Sequence, residues 1–199
     1  MLSGQQCFDE VQFGIDCKST YHGVQNGMRC YFLAHVQTPN LYTSPKDGVE
    51  YSRSEWVDAF DTCKRYGGNA TLAQVYTTSE LAALSQLTER IDSYNNDWTW
   101  VALSTDPTGP MYPSGIDWIN ARWFTGPTTY EPTLTVNNTF LRYHQDDDTY
   151  TGEGNCLVLY DSFSKIGDEP CDQDRFVLCM VYNRKQTFTL VPGECMNSW

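Results

Sequence analysis

The stretch from Glu153 to Tyr182 decides how this chain folds: Asn155-Cys156-Leu157-Val158-Leu159 stands near its start, Asp168-Glu169-Pro170-Cys171 in its middle and Phe176-Val177-Leu178-Cys179 near its end. Cys156 and Cys171 bracket a short segment rich in Asp, Gly and Ser, and each sits beside a run of β-branched, Leu and Phe residues that reads as a buried strand. The segment between them reads as a loop stapled shut. Cys179 lies inside the second of those strands, where apolar residues occupy both faces, and such a strand is covered on both sides.

Working outward, the 199 residues suffice for one domain that buries about 70% of the surface its unfolded chain would expose. The 8 cysteines are even in number and scattered rather than grouped as C-x-x-C pairs, which predicts a disulfide framework and an extracellular or secreted setting rather than metal or redox chemistry. No apolar run approaches the length of a transmembrane segment. The Met1-Leu2-Ser3-Gly4 start lacks the apolar core of a signal peptide, so Met1 is read as the start of an expressed or processed form. A formal net charge of -12 disfavours polyanionic partners, so no nucleic-acid partner is expected, and it suits cations or solubility. Asn69-Ala70-Thr71 and Asn137-Asn138-Thr139 are N-glycosylation acceptors in a secretory setting.

Upstream, Cys7 sits in a polar lead-in. Gln25-Asn26-Gly27-Met28 reads as a tight turn between extended arms, because Asn-Gly favours the positive φ that two-residue hairpins demand. Cys17 and Cys30 flank that turn and would lock the hairpin, whose second arm continues as the buried strand Tyr31-Phe32-Leu33. Thr38 to Gly48 reads as a polar connector. Ser52-Arg53-Ser54-Glu55 has the form of a capping box and predicts a helix starting there, with Trp56, Ala59, Phe60 and Cys63 on its apolar face and Gly67-Gly68 at its end. Thr77-Thr78-Ser79-Glu80 repeats the signal for a second helix, with Leu81, Leu84, Leu87 and Ile91 as its stripe. Leu72-Ala73-Gln74-Val75 joins the two. Trp98 to Leu103 alternates as a central strand does. From Ser104 to Gly154, Pro, Gly, Asp and Thr dominate, with Trp118, Trp123, Phe124, Tyr130, Phe140 and Tyr143 dispersed among them. This predicts a long binding loop packed by its own aromatics.

Taken in order, Cys30-Tyr31-Phe32-Leu33, Trp56 with Ala59 and Cys63, Gly67-Gly68, Leu72-Ala73, Glu80, Trp100-Val101-Ala102-Leu103, Asn155-Cys156, Cys171 and Phe176-Val177-Leu178-Cys179 resemble the landmarks of the C-type lectin-like domain. The likeness runs from about Cys17 to Tyr182. It implies an α+β fold of two helices, two small antiparallel sheets and a long irregular loop region. It also implies bridges from Cys63 to Cys179 and from Cys156 to Cys171, with Cys17 to Cys30 as the extra bridge of the family's long form. Cys7 and Cys195 are then left over. Pairing them completes four disulfides and ties a lead-in (1–16) to a tail (183–199) around a domain at 17–182.

Sugar-binding members of the family hold a calcium ion in the long-loop region and share it with two sugar hydroxyls, and calcium needs roughly six to eight oxygens. By that resemblance the ligands are a Glu-Pro-Asn or Gln-Pro-Asp triplet, an acidic residue just before the Cys156 position, and a Trp-Asn-Asp triplet ending three residues before Cys171. The last aligns with Ile166-Gly167-Asp168, of which only Asp168 keeps a ligand side chain. Glu153 stands one step from the acidic position, which Gly154 occupies. Glu131-Pro132-Thr133 has the form of the first triplet but lies far from Cys156. Asp146-Asp147-Asp148 lies at about the right distance but lacks the proline. The candidate calcium ligands are therefore Asp146, Asp148, Glu153 and Asp168, and the candidate ligand contacts are Glu131, Tyr143, Asp147 and Tyr150. The plainer readings are a solvated acidic loop for the Asp run and a turn cap for Asp168. Trp100, Trp118 and Trp123 read as core.

An enzyme is not expected. His22, His35 and His144 fall in separate segments without metal-ligand spacing, and there is no nucleophile elbow or phosphate-cradling Gly loop. The expected function is extracellular recognition, of a glycan through calcium or of a protein ligand without it. Fold likeness does not choose between these.

Overall fold

The computed structural model describes residues 12–13, 17–67, 69–91, 98–104, 121–135, 156–160, 162–182 and 186–187, with the backbone alone at 12–13, 19, 130–135 and 186–187. The first half comprises β1 (Gln12–Phe13), α1 (Cys17–Tyr21), β2 (Val24–Asn26), β3 (Arg29–Leu33), β4 (Asn40–Thr43), β5 (Glu50–Ser54), α2 (Trp56–Lys64), β6 (Thr71–Leu72) and α3 (Thr78–Thr88). The second comprises β7 (Thr99–Ser104), β8 (Arg122–Gly126), β9 (Thr129–Thr135), β10 (Cys156–Tyr160), β11 (Lys165–Glu169), β12 (Arg175–Tyr182) and β13 (Gln186–Thr187).

Strand β12, apolar on both faces and buried along its middle, organises the rest. It pairs antiparallel with β3 (Cys179 opposite Phe32) and parallel with β7 (Phe176 opposite Thr99). The strands expected as two small sheets are thereby joined in one 11-stranded network whose main path runs β11-β10-β7-β12-β3-β2. Separately, β1 pairs antiparallel with β13, setting residues 12–13 beside 186–187.

Helix α3 starts as its sequence predicts. The Glu80 N–H donates to Thr77 Oγ1 at 3.2 Å, and Glu80 Oε2 accepts the Thr77 N–H at 3.0 Å. Only 5% exposed, Glu80 also accepts the Tyr31 hydroxyl at 2.9 Å and pairs with Arg29. Burial, reinforced by the Glu80 charge, pushes the Tyr31 phenol far above its ordinary value.

Helix α2 starts later than its sequence predicts. Ser52 lies in β5, opposite Leu41 of β4, and its hydroxyl donates to the Val36 carbonyl at 2.5 Å. Glu55 occupies the N-cap without a side-chain bond. The Trp56 N–H donates instead to the Cys171 carbonyl at 3.0 Å, so strand pairing and a tertiary bond replace the local cap. The connector expected at 38–48 contributes β4 to a hairpin with β5.

Three disulfides lie among the described residues: Cys17–Cys30, Cys63–Cys179 and Cys156–Cys171, with Cα separations of 5.5, 5.4 and 5.2 Å. All three suit relaxed bridges. Cys7 and Cys195 lie outside the described residues. Trp56, at the centre of the core, meets Phe60 edge-on at 4.9 Å and Phe124 at 5.2 Å, and its indole N–H donates to the Val101 carbonyl at 2.8 Å. Trp100 and Trp123 are buried with it, as expected, while Trp118 lies outside the described residues.

Candidate functional site

The hairpin of β10 and β11, which follows the segment 136–155 in the sequence, forms the base considered for the site. Its register sets Cys156 opposite Glu169, Leu157 opposite Asp168 and Val158 opposite Gly167, and the Cys156–Cys171 bridge closes the base. The short segment read as a stapled loop is therefore mostly paired strand. β7 flanks β10, and Trp98, just ahead of β7, meets the Tyr160 ring at 5.7 Å. The Arg175 guanidinium lies 5.1 Å from the centroid of Trp98 and pairs with the buried Glu169. Nearby, desolvation and the Arg175 charge lower the pKa of Arg53, while the Asp174 charge opposes them.

Asp168, 8% exposed, lies in the β11 ladder rather than at a turn. Glu131 falls within β9, where the backbone alone is described. Tyr143, Asp146, Asp147, Asp148, Tyr150 and Glu153 lie outside the described residues, as does Asn137. Asn69 is exposed just ahead of β6. The structure thus places the side chain of one predicted calcium ligand, Asp168, and does not bring a second beside it among the described residues.

The packing beside Asp168 bears on whether the base fits an ion. A Cβ added at Gly167 would stand 2.9 Å from Tyr160 Cε1, 3.5 Å from Cδ1 and 3.7 Å from Cζ. The Tyr160 ring thus fills the space in which the amide ligand of a Trp-Asn-Asp triplet would begin. Ile166 is itself buried. This arm of the base offers one carboxylate and does not fit the family's calcium cage. Sequence reasoning located Gly167 but missed Tyr160, whose contact crosses a hairpin and leaves no mark in the local sequence except the glycine.

The three disulfides among the described residues frame an α+β scaffold of paired strands with α2 and α3 as its longer helices. The family model described as "Lectin C-type domain" matches residues 52–181. The chain belongs to the C-type lectin domain family, whose members are generally binding modules rather than enzymes. Among solved structures it is similar to human lithostathine at 19% identity and TM-score 0.53, covering 81% of this chain and 97% of that one. It is similar to the Kupffer cell C-type lectin receptor Clec4f at 17% identity and TM-score 0.50, covering 80% of this chain and 82% of that one. It is also similar to the mouse scavenger receptor C-type lectin carbohydrate-recognition domain at 12% identity and TM-score 0.50, covering 83% of this chain and 97% of that one. At these identities the likeness is one of fold. Among curated proteins none matches the chain significantly.

Proposed function

We propose that this protein is an extracellular recognition domain, spanning about 17–182, that grips its ligand with the segment preceding β10 in the sequence and does so without calcium. The observation that carries this reading is the Tyr160 ring seated where a ligand side chain at position 167 would begin. A base whose neighbouring position is filled by an aromatic ring supports contact by shape, hydrogen bonds and aromatic surface rather than through a shared ion. The ligand class is a protein surface or a glycan, engaged by Glu131, Tyr143, Asp147 and Tyr150. Glycans on Asn69 and Asn137 accompany the extracellular setting.

A second reading, a calcium-bridged glycan held through Asp146, Asp148, Glu153 and Asp168, is favoured by the retention of Asp168 on β11. Thermal melting separates the two, since a ligand that binds only the folded state raises the midpoint. An ion of about 1 mM Kd, supplied at about 10 mM, adds about 1.4 kcal/mol, or a few degrees. The proposal expects the same midpoint in calcium and in chelator, with ligand capture undiminished by chelator. A reproducible rise in calcium, with capture abolished by chelator, would overturn it in favour of the second reading.

A further inference from the structure

Away from the β10–β11 base, the chain folds around a cleft of about 430 Å³ whose lining draws on four separated segments. The size falls in the range of small-molecule sites, which run from about 300 to 1,000 Å³. Leu33 and Tyr21 line its apolar part, and Tyr21 is held by stacking on Phe32 at 4.4 Å. Val49 and Tyr51 contribute from the end of the β4–β5 connection and from β5, and Arg90 from the end of α3. The Ser44 hydroxyl donates to the Arg90 carbonyl at 2.5 Å and pins that end in place. Most of the lining residues precede position 52, where the match to the family model begins.

The charges in the cleft define what it can take. One carboxylate is already committed: Asp47 accepts the Tyr51 hydroxyl at 2.7 Å and the Val49 N–H at 3.0 Å. Slight burial works against ionisation of Asp47, but these hydrogen bonds, a further one from Ser44 and the charge of Arg90 hold its carboxyl below the usual range. Asp47 is therefore engaged chiefly by Tyr51, Val49 and Ser44, with the charge of Arg90 the smallest of these influences. The cleft retains the exposed Lys46 ammonium and the rings of His22 and His35, whose centroids lie 6.2 Å apart, with His35 Nδ1 3.4 Å from the Leu33 carbonyl oxygen. His22 is held at a φ of 51°, in the left-handed region, and His35 is braced edge-on by Tyr66 at 5.3 Å. Glu89 at the rim opposes a second negative charge.

We propose that the cleft between the end of α1, the β4–β5 connection and the end of α3 binds a small organic monoanion, a carboxylate carried on a compact body with an apolar face. Lys46, His22 and His35 hold the carboxylate, and Tyr21, Leu33 and Val49 receive the body. An aromatic carboxylate and an acidic monosaccharide share this chemistry. The test is a titration of amide chemical shifts in the intact chain, with EDTA present throughout so that any ion at the loop end plays no part. The probes are phenylacetate, glucuronate and the neutral phenylacetamide.

The expected result is saturable shifts at His22, Leu33, Val49 and Arg90 with at least one carboxylate, and which one saturates identifies the source. Phenylacetamide is expected to bind at least about tenfold more weakly, the factor for losing one charge-assisted contact. The exposed substitution Lys46→Glu is expected to weaken carboxylate binding at least tenfold while leaving amide shifts elsewhere unchanged. Failure of both carboxylates to saturate, equal binding of the amide, or undiminished binding by the Lys46→Glu protein would each overturn the assignment.

Discussion

Replacing Gly167 by alanine tests whether the Tyr160 ring excludes a side chain from the base. The new Cβ would stand 2.9 Å from Tyr160 Cε1, closer than such atoms sit without something shifting. The ring has little room to retreat, because Tyr160 is 8% exposed and meets Trp98 at 5.7 Å. Overpacking of this kind costs about 1 to 3 kcal/mol. Against it stands a gain of about 0.5 to 1 kcal/mol, because alanine in a strand loses less backbone freedom on folding than glycine. The two ranges combine to a net change between about 0 and 2.5 kcal/mol of destabilisation for Gly167→Ala, centred on about 1 kcal/mol. With the ring removed by Tyr160→Ala the overpacking vanishes and only the backbone gain remains, so the same substitution should then stabilise by about 0.5 to 1 kcal/mol. Urea unfolding of the two single variants, the double variant and the parent gives the coupling, expected at about 1 to 3 kcal/mol. An equal cost of Gly167→Ala in both backgrounds would refute the reasoning, and with it the ground for a base closed to a second ligand.

The remaining predictions concern the covalent frame and a buried phenol. In the chain-entropy account a bridge stabilises more when it closes a longer loop, and the Cys63–Cys179 and Cys17–Cys30 separations are 116 and 13 residues. Paired Cys→Ala replacement should therefore cost about 5 kcal/mol at the first bridge and about 3 at the second; equal losses in urea unfolding would contradict this ordering. The antiparallel pairing of Gln12 with Thr187 and Phe13 with Gln186 sets residues 12–13 beside 186–187, five residues after Cys7 and eight before Cys195 in the sequence. Non-reducing peptide mapping should recover Cys7 joined to Cys195, and finding either thiol free, or Cys7 joined to Cys17, would count against it. Burial pushes the Tyr66 phenol up to about 12, although the hydrogen bond its oxygen accepts from the His35 backbone N–H pulls the other way. Its folded pKa lies above the unfolded value of about 10, so its contribution is complete below about pH 10 and lost as pH rises towards 12. Phenolate absorbance should show one tyrosine fewer ionising in that window for Tyr66→Phe, and an unchanged titration would refute the assignment.

What could be read in the chain depended on how far apart the deciding residues stand. Thr77 and Glu80 announce α3 because both halves of their capping box lie within one turn. Ser52 and Glu55 carry a similar pattern, but pairing of Arg175 with Ser54 and of Leu41 with Ser52 draws those residues into β5. No window around Ser52 contains the partner that wins. Strand β4 was hidden for the same reason: Asn40-Leu41-Tyr42-Thr43 lacks a buried face and is extended because β5 lies beside it. The joining of two expected sheets likewise depends on the parallel contact of β12 with β7, between segments some seventy residues apart in the sequence. The cysteines were legible across such distances because their spacing matched a known framework.

That contrast bears on how the loop end could change its chemistry. The frame of the base is fixed three ways: the Cys156–Cys171 bridge, the ladder between β10 and β11, and the bond from the Trp56 N–H at the start of α2 to the Cys171 carbonyl. None of these depends on the identity of the residues at 146–148. Substitutions there can alter what the loop touches without disturbing the scaffold, whereas the arm bearing Asp168 cannot gain a neighbouring ligand alone. A side chain at 167 requires a smaller residue at 160, and shrinking Tyr160 removes the partner of Trp98, over which Arg175 lies. Acquiring a calcium cage on this base therefore takes at least two coordinated changes, the first of which destabilises the fold in either order. That asymmetry favours recognition by the loop's own side chains.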